Sequence, residues 1–417
     1  MTSLDASHAN APSGERGANV PSGENGASDA NGASNASNPI SSHAEGQASD
    51  YAQPKAGQRV LSAMSGGVDS SVATLLLHSW GLEVQGVTLK LFNNETSCSL
   101  ETKTCCSLQD VEDARSVCID LGVPHYVFNF TKTFGTTVID KFCDAYLSGE
   151  TPNPCIDCNR FVKFEALQQR RRDLGFDYVA TGHYARRIYN DTTQRFELHT
   201  AFDQHKDQSY VLFHLDQDTL RHMLFPLGEL TKTQVRELAH KAGFINAQKQ
   251  ESQDICFVPD GNYAAFIHKR TGKSFTPGAI VNREGKRLGT HQGLIHYTIG
   301  QRKGIGVAAA QPLYVYEKRP DTNELVVDTD TNTQCRGVIV RDVTYGALDH
   351  IDQAQQLSVK THYRQTAQDA VVTNASNNRL RIEFCAPQRA CAPGQFAVCY
   401  RADTVVCGGT IEDIIPE

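Results

Sequence analysis

No apolar run in this 417-residue chain approaches the ~20 residues that a helix needs to cross a membrane, so a helical membrane protein is not expected. With 40% hydrophobic and 21% charged residues, the chain fits a soluble globular protein long enough for two or three domains. Residues 1–57 have few large apolar side chains and are mostly Ala, Ser, Asn and Gly. Such a segment cannot bury enough surface to offset the entropy of ordering, so a disordered, low-complexity tail is expected there. It lacks the apolar centre of a signal peptide. Arg16 is its only arginine, too few for a mitochondrial transit peptide, so a cytoplasmic location is expected. The chain also lacks a net positive charge, standing at −7. Part of that belongs to the tail, where six acidic residues face only Arg16 and Lys55. The 13 cysteines are an odd number with no secretion signal, which argues against a fully paired disulfide framework and for thiols used in redox chemistry or metal binding.

Residues 65–71 read SGGVDSS, between an apolar strand pattern (RVLSAM, residues 59–64) and a helical one (SVATLLLH, residues 71–78). A Gly-Gly turn there lets backbone N–H groups approach an anion without interference from Cβ atoms. The serine hydroxyls and the helix N-terminus add to the same pull, so a phosphate group is the expected ligand. The lysine of the G-x-x-x-x-G-K-[ST] loop is missing. The segment instead resembles the PP-loop of ATP pyrophosphatases, which cleave ATP to AMP and pyrophosphate and use the AMP to activate a carbonyl oxygen.

Four strand patterns alternate with helical ones after residue 58: RVLSAM, EVQGVTL, HYVFNF and DYVATG. That alternation predicts an α/β fold with a doubly wound parallel sheet and a ligand at the carboxyl ends of its strands. Leu108, Val111, Ala114, Cys118 and Leu121 are expected on the buried face of one helix. Phe161, Phe164, Leu167 and Leu174 are expected to do the same in another. The run at residues 230–244 is also helical. After Cys256 the texture changes to Gly-containing turns between short strands, and from Cys335 nearly every run is strand-like. The expected order is a tail over 1–57, the ATP-binding catalytic domain over 58–257, a small central module over 258–330 and a C-terminal β-barrel over 331–417. In the central stretch from Phe266 to Ile305, Lys269, Arg270, Lys273, Arg283, Lys286, Arg287, Arg302 and Lys303 face Glu284 alone, an electrostatic footprint for a polyanion.

Cys155 and Cys158 stand as C-x-x-C within TPNPCIDCNR, a spacing open to a redox pair, metal ligands, or one nucleophile with a bystander. Cys256, in ICFV, reads alone as core or catalyst. The ordered set SGGVDSS, TPNP followed by CN, ATGHYAR, KDQSYVL, ICF, HQGLIHYTIGQRKG, THYRQ and APGQ resembles the tRNA-specific 2-thiouridylase family over about residues 58–417. That resemblance implies an adenine nucleotide alpha hydrolase-like PP-loop domain. It implies an enzyme that adenylates the 2-carbonyl of the wobble uridine in tRNA and replaces the oxygen with sulfur. Ala63, Met64, Ser65, Gly66, Gly67, Val68, Asp69 and Ser70 match the family's ATP-binding loop, and Leu89 and Gly182 its other nucleotide contacts. Mg2+ is expected with the ATP, with Asp69 aiding it through water.

By the same resemblance Cys158 is the nucleophile that helps release sulfur and Cys256 carries the sulfur as a persulfide. Asn153, Pro154 and Cys155 correspond to the target-base pocket. His183, Lys206, Asp207, Gln208, Tyr363, Arg364 and Gln395 correspond to tRNA contacts. The implied partners are tRNA and a sulfur-donor protein, a cysteine desulfurase or relay protein, with the enzyme itself a monomer. One position departs from the pattern: many members have Asp where Cys155 stands. Cys155, Cys158 and Cys256 are therefore also an expected ligand set for an iron–sulfur cluster. Cys98, Cys105 and Cys106 are expected in a loop, where a supporting role in sulfur delivery is open. Cys118 and Cys143 are expected in helix cores, and Cys385, Cys391, Cys399 and Cys407 inside the barrel. The competing readings are another PP-loop ligase and an RNA-binding protein that keeps a relic loop.

Overall fold

The computed structural model describes residues 53–92, 108–250, 255–258, 260–329, 334–389 and 391–416. The tail's first 52 residues and the loop carrying Cys98, Cys105 and Cys106 lie outside them. Strand β1 (Arg59–Ala63) runs into the loop and helix α1 (Val68–Ser79), followed by β2 (Glu83–Lys90), helix α2 (Leu108–Leu121) and β3 (His125–Asn129). The chain continues through β4 (Tyr178–Thr181), a hairpin of β5 (Arg186–Asn190) and β6 (Arg195–His199), and the two-residue β7 (Met223–Leu224). The first sheet has the order β3-β2-β1-β4-β7, and every pairing in it is parallel. The four strand patterns form as expected, and β7 adds a fifth too short to carry a pattern. The strand order reverses beside β1. This leaves a crevice between the carboxyl ends of β1 and β4, where an open α/β sheet binds its ligand.

Two expected faces differ. In α2 the buried residues are Asp110, Asp113, Ala114, Val117 and Cys118, while Leu108 is 75% exposed. The helix is rotated because its two aspartates turn inward to the ammonium of Lys249, at 2.6 Å each. Leu174, just past the end of the helical run 154–173, is exposed, while Phe164 and Leu167 are buried. Within that run the turns widen over Cys158–Ala166 to a π-helical register.

The central module carries β8 (Gly278–Val281), β9 (Arg287–His291), β10 (Leu313–Arg319) and β11 (Glu324–Thr329), ordered β10-β11-β8-β9. The C-terminal strands are β12 (Gln334–Tyr345), β13 (Gln355–Lys360), β14 (Gln368–Asn374), β15 (Leu380–Arg389), β16 (Phe396–Arg401) and β17 (Thr404–Pro416). They pair in the order β12-β15-β14-β13-β16-β17, and β12 also pairs with β17. Six strands thus close into a barrel, which leaves no edge among them. The hairpin β5–β6, from the N-terminal half of the sequence, extends this sheet through Thr404 and His199. Cys391, Cys399 and Cys407 are buried in the barrel as expected. Cys385 is exposed, because Leu380, Ile382 and Phe384 take the inward positions of β15's two-residue alternation.

No helix among the described residues is long and apolar enough to cross a membrane. One core cluster joins the parallel sheet to the barrel, from Leu61 and Val87 through Tyr210 to Phe396 and Val398. Tyr210 is fully buried, and its hydroxyl donates to the Phe396 carbonyl at 2.9 Å. Tyr210→Phe removes that hydrogen bond and is expected to cost about 1 kcal/mol, read as a lower urea midpoint. An unchanged midpoint would mean that this bond does not contribute.

Candidate functional site

β1 hands the chain to the loop through two bonds to β2: Met64 N–H donates to the Val87 carbonyl at 2.8 Å, and the Thr88 hydroxyl donates to the Met64 carbonyl at 3.0 Å. Gly66 then takes φ +74°, where a Cβ would lie 2.3 Å from the Asp110 carbonyl oxygen. Gly67 caps α1 with extended backbone and no side-chain oxygen on the first-turn N–H groups. Those donors remain directed at an anion. The hydroxyls of Ser70 and Ser71 fold back to the Gly67 carbonyl at 3.0 and 3.1 Å, and Ser65 N–H donates to Ser70 Oγ at 3.2 Å. A Cβ on Gly182 would stand 2.8 Å from Ser70 N, so only glycine lets the end of β4 approach the first turn of α1 this closely.

The loop is braced by residues that sequence reasoning missed. Asn246 Nδ2 donates to the Gly66 carbonyl at 3.0 Å and to Ser71 Oγ at 2.9 Å. Lys249 Nζ donates to the same carbonyl at 3.2 Å while it bridges Asp110 and Asp113. Burial alone would lower the pKa of Lys249; the two carboxylates outweigh it and hold it above the usual lysine value. Asp69 accepts Lys232 Nζ at 2.7 and 2.8 Å, and the Tyr184 hydroxyl at 2.8 Å. The only local signal was the Thr231–Gln234 capping box that starts the helix Lys232–Lys241.

The second element is the helix that carries the C-x-x-C. Asn153 caps it, its Oδ1 accepting Cys155 N–H at 3.2 Å, and Pro154 fills the first turn, where no backbone donor is needed. Cys155 is exposed and Cys158 is buried. Cys158 belongs to the same apolar cluster as Leu89, and Ala63 and the half-buried Cys256 pack against that cluster. Two of the three cysteines, the loop's first residue and the expected nucleotide contact on β2 thus belong to or pack against one apolar cluster, which runs from the parallel sheet to the barrel. Among the described residues no three Cys, His, Asp or Glu side chains form a metal-ligand group.

His183 is buried, bonds Thr181 Oγ1 through Nδ1 at 2.8 Å, and lies 5.9 Å from the Phe164 ring. Burial pushes its pKa well below the usual value, so its ring is neutral. His214 also packs on Phe164, and burial next to Arg160 brings it down to about 3.

The barrel reaches the cysteine helix through its cap loop. Gln395 Nε2 donates to the Thr151 carbonyl at 2.7 Å, and Thr151 N–H donates to the Pro393 carbonyl at 3.0 Å. Gly394 has φ +85°, with Glu150 Cβ 2.8 Å from where its own Cβ would be. Asp207 is buried and accepts from Ala201 N–H, Ser209 N–H and Ser209 Oγ. Gln208 exchanges bonds with the Tyr184 backbone at 2.8 and 2.9 Å. Of the residues expected at RNA, Gln395, Asp207 and Gln208 thus hold the framework, and Lys206 is half-buried. Tyr363 and Arg364 are exposed on the barrel, with Tyr363 resting 6.2 Å from the Tyr210 ring. All eight cations of the central basic segment are exposed.

Comparison with known proteins is consistent along the chain. Residues 58–260 match the model described as tRNA methyl transferase HUP domain, 264–329 the tRNA methyl transferase PRC-barrel domain, and 335–411 the aminomethyltransferase beta-barrel domain. The tRNA-specific 2-thiouridylase MnmA of Carboxydothermus hydrogenoformans is 47% identical over 356 residues, covering 85% of this chain and 98% of the relative. The chain belongs to the tRNA-specific 2-thiouridylase family. The thiouridylase of Moorella thermoacetica is 46% identical over 352 residues, covering 84% of this chain and 99% of its own. A 4-thiouridine synthetase–RNA complex with bound ATP shares 18% identity at a TM-score of 0.30, covering 52% of this chain and 50% of its own, which adds no weight. For this thiouridylase-family chain, Gly66→Ala is expected to abolish ATP binding in equilibrium dialysis, because the new methyl meets the Asp110 backbone. Wild-type affinity in that variant would show that the loop tolerates the displacement.

Proposed function

We propose that the enzyme binds ATP on the loop from Ala63 to Ser70 and uses it to adenylate the 2-carbonyl oxygen of the wobble uridine in tRNA. The uridine oxygen bonds to the α-phosphorus and pyrophosphate leaves. The terminal sulfur of a Cys256 persulfide attacks C2, and AMP departs with the oxygen. Cys158 then attacks the Cys256 sulfur, so that a Cys158–Cys256 disulfide forms and the new C=S group is released. An external dithiol reduces the disulfide and is itself oxidised to a disulfide, and a sulfur-donor protein reloads Cys256. A persulfide is ionised and strongly nucleophilic near neutral pH, which suits attack on an activated carbon.

The observation that carries this reading is one apolar cluster that contains Cys158 and Leu89 and against which Cys256 and Ala63 pack. The relatives' printed activity, tRNA-specific 2-thiouridylation, supports it along the whole match. Asp69 is the carboxylate that would hold a triphosphate-bound Mg2+, which takes one or two carboxylates and keeps several waters. The ion would neutralise charge on the leaving pyrophosphate. Cys155, Cys158 and Cys256 do not form a ligand group in this arrangement, so no step is routed through a cluster.

RNA binding is assigned to the exposed Tyr363 and Arg364, to Lys206, and to the basic face of the central module. An aromatic beside an arginine stacks on a base or binds a phosphate. Extrusion of the wobble base toward Asn153 is required because its 2-carbonyl must meet ATP.

Expression in cells lacking their own thiouridylase, with tRNA nucleosides read by mass spectrometry, tests the reading. Wild type is expected to restore 2-thiouridine, Cys158→Ser and Cys256→Ser to abolish it, and Cys155→Ser to keep most of it. Loss in Cys155→Ser, together with iron and sulfide in anaerobically purified wild type, would replace the persulfide relay by cluster-dependent transfer.

A further inference from the structure

The loop Ser65–Ser71 carries no cation, and its one charged residue, Asp69, is an acid placed in the first turn of α1. An acid beside uncapped N–H donors would repel a triphosphate unless its charge is compensated. Two lysines approach the loop from the same distant segment, and they are held differently. Lys249 is fixed by three acceptors, the carboxylates of Asp110 and Asp113 and the Gly66 carbonyl. Lys232 pairs with both oxygens of Asp69, and its side chain is only 12% exposed.

The place of Lys232 in the fold does not depend on its ammonium. Its backbone is pinned independently: Lys232 N–H donates to Asp203 at 3.0 Å, and the Thr231–Gln234 capping box fixes the helix start. Asp69 has a second donor of its own, the buried Tyr184 hydroxyl at 2.8 Å. When Lys232 moves, Asp69 therefore keeps a hydrogen bond. Because Asp69 lies in the first turn of α1, the ammonium bonded to it already stands at that turn.

We propose that Lys232 is the polyphosphate ligand that replaces the lysine absent from the loop, exchanging from Asp69 to the β- and γ-phosphates when ATP binds. It supplies in space what a G-K-[ST] loop supplies in sequence, a cation on the departing pyrophosphate. This rests on ATP as the loop's ligand.

Binding of a non-hydrolysable ATP analogue and of AMP to the full chain, with Mg2+ present, tests the inference by calorimetry. Lys232→Met is expected to weaken the analogue about 10- to 100-fold, the loss of one charge-assisted bond, and to leave AMP within about threefold. Lys232→Arg is expected to stay within about threefold of wild type for both ligands. Lys232→Gln, closer in shape, serves under the same criterion if the methionine variant does not fold. Equal weakening of both ligands, or of neither, would overturn the role at the phosphates. A wild-type chain that binds neither nucleotide would overturn the ATP reading itself.

Discussion

A triphosphate brings several negative charges to a loop whose own formal charge is that of Asp69. Compensation of that charge is the constraint on which the rest of the site depends. Backbone donors at the start of α1 supply part of it, and they are available because Gly67 caps the helix without a side chain. The rest comes from the segment after β7. Lys232 neutralises Asp69, while Lys249 gathers Asp110 and Asp113 and bonds the Gly66 carbonyl. The inward turn of α2's two aspartates is thus part of the loop's construction. They hold the lysine that holds the turn.

The same economy places the sulfur chemistry. The helix that bears Cys155 and Cys158 begins at a loop clamped by the barrel, through Gln395, Pro393 and the close approach of Gly394 to Glu150. Lys318 of the central module reaches the same loop, donating to the Glu150 carbonyl at 3.3 Å. Burial lowers its pKa to about 8. All three modules therefore meet at the residues just before the cysteine helix. The barrel and the central module thus both bond the loop that leads into the cap at Asn153.

What could be read along the chain is what depends on neighbours in sequence. The alternation of apolar strands and helices gave the parallel sheet, and SGGVDSS gave the loop with its glycine turn. The succession of strand-like runs from Cys335 onward gave the barrel. What could not be read rests on long-range charge. Lys232 meets Asp69 across 163 residues and Lys249 meets Asp110 across 139, and no local pattern announces either pair. The α2 face was misjudged for the same reason: Leu108 looked like core until the aspartates claimed the inner side. The hairpin β5–β6 joins the barrel by edge pairing, which its own alternation cannot specify. Asp207, Gln208 and Gln395 were expected at tRNA by resemblance, and their side chains bond the framework, which only hydrogen-bond geometry reveals.

The most direct test of the account is a single turnover with protein persulfidated at Cys256 using labelled sulfur, mixed anaerobically with ATP and unmodified tRNA. The account predicts labelled 2-thiouridine in tRNA, one AMP and one pyrophosphate for each sulfur transferred, and a disulfide between Cys158 and Cys256 in the spent enzyme. Label that stays on the protein while AMP forms, or thiolation without release of AMP, would contradict it.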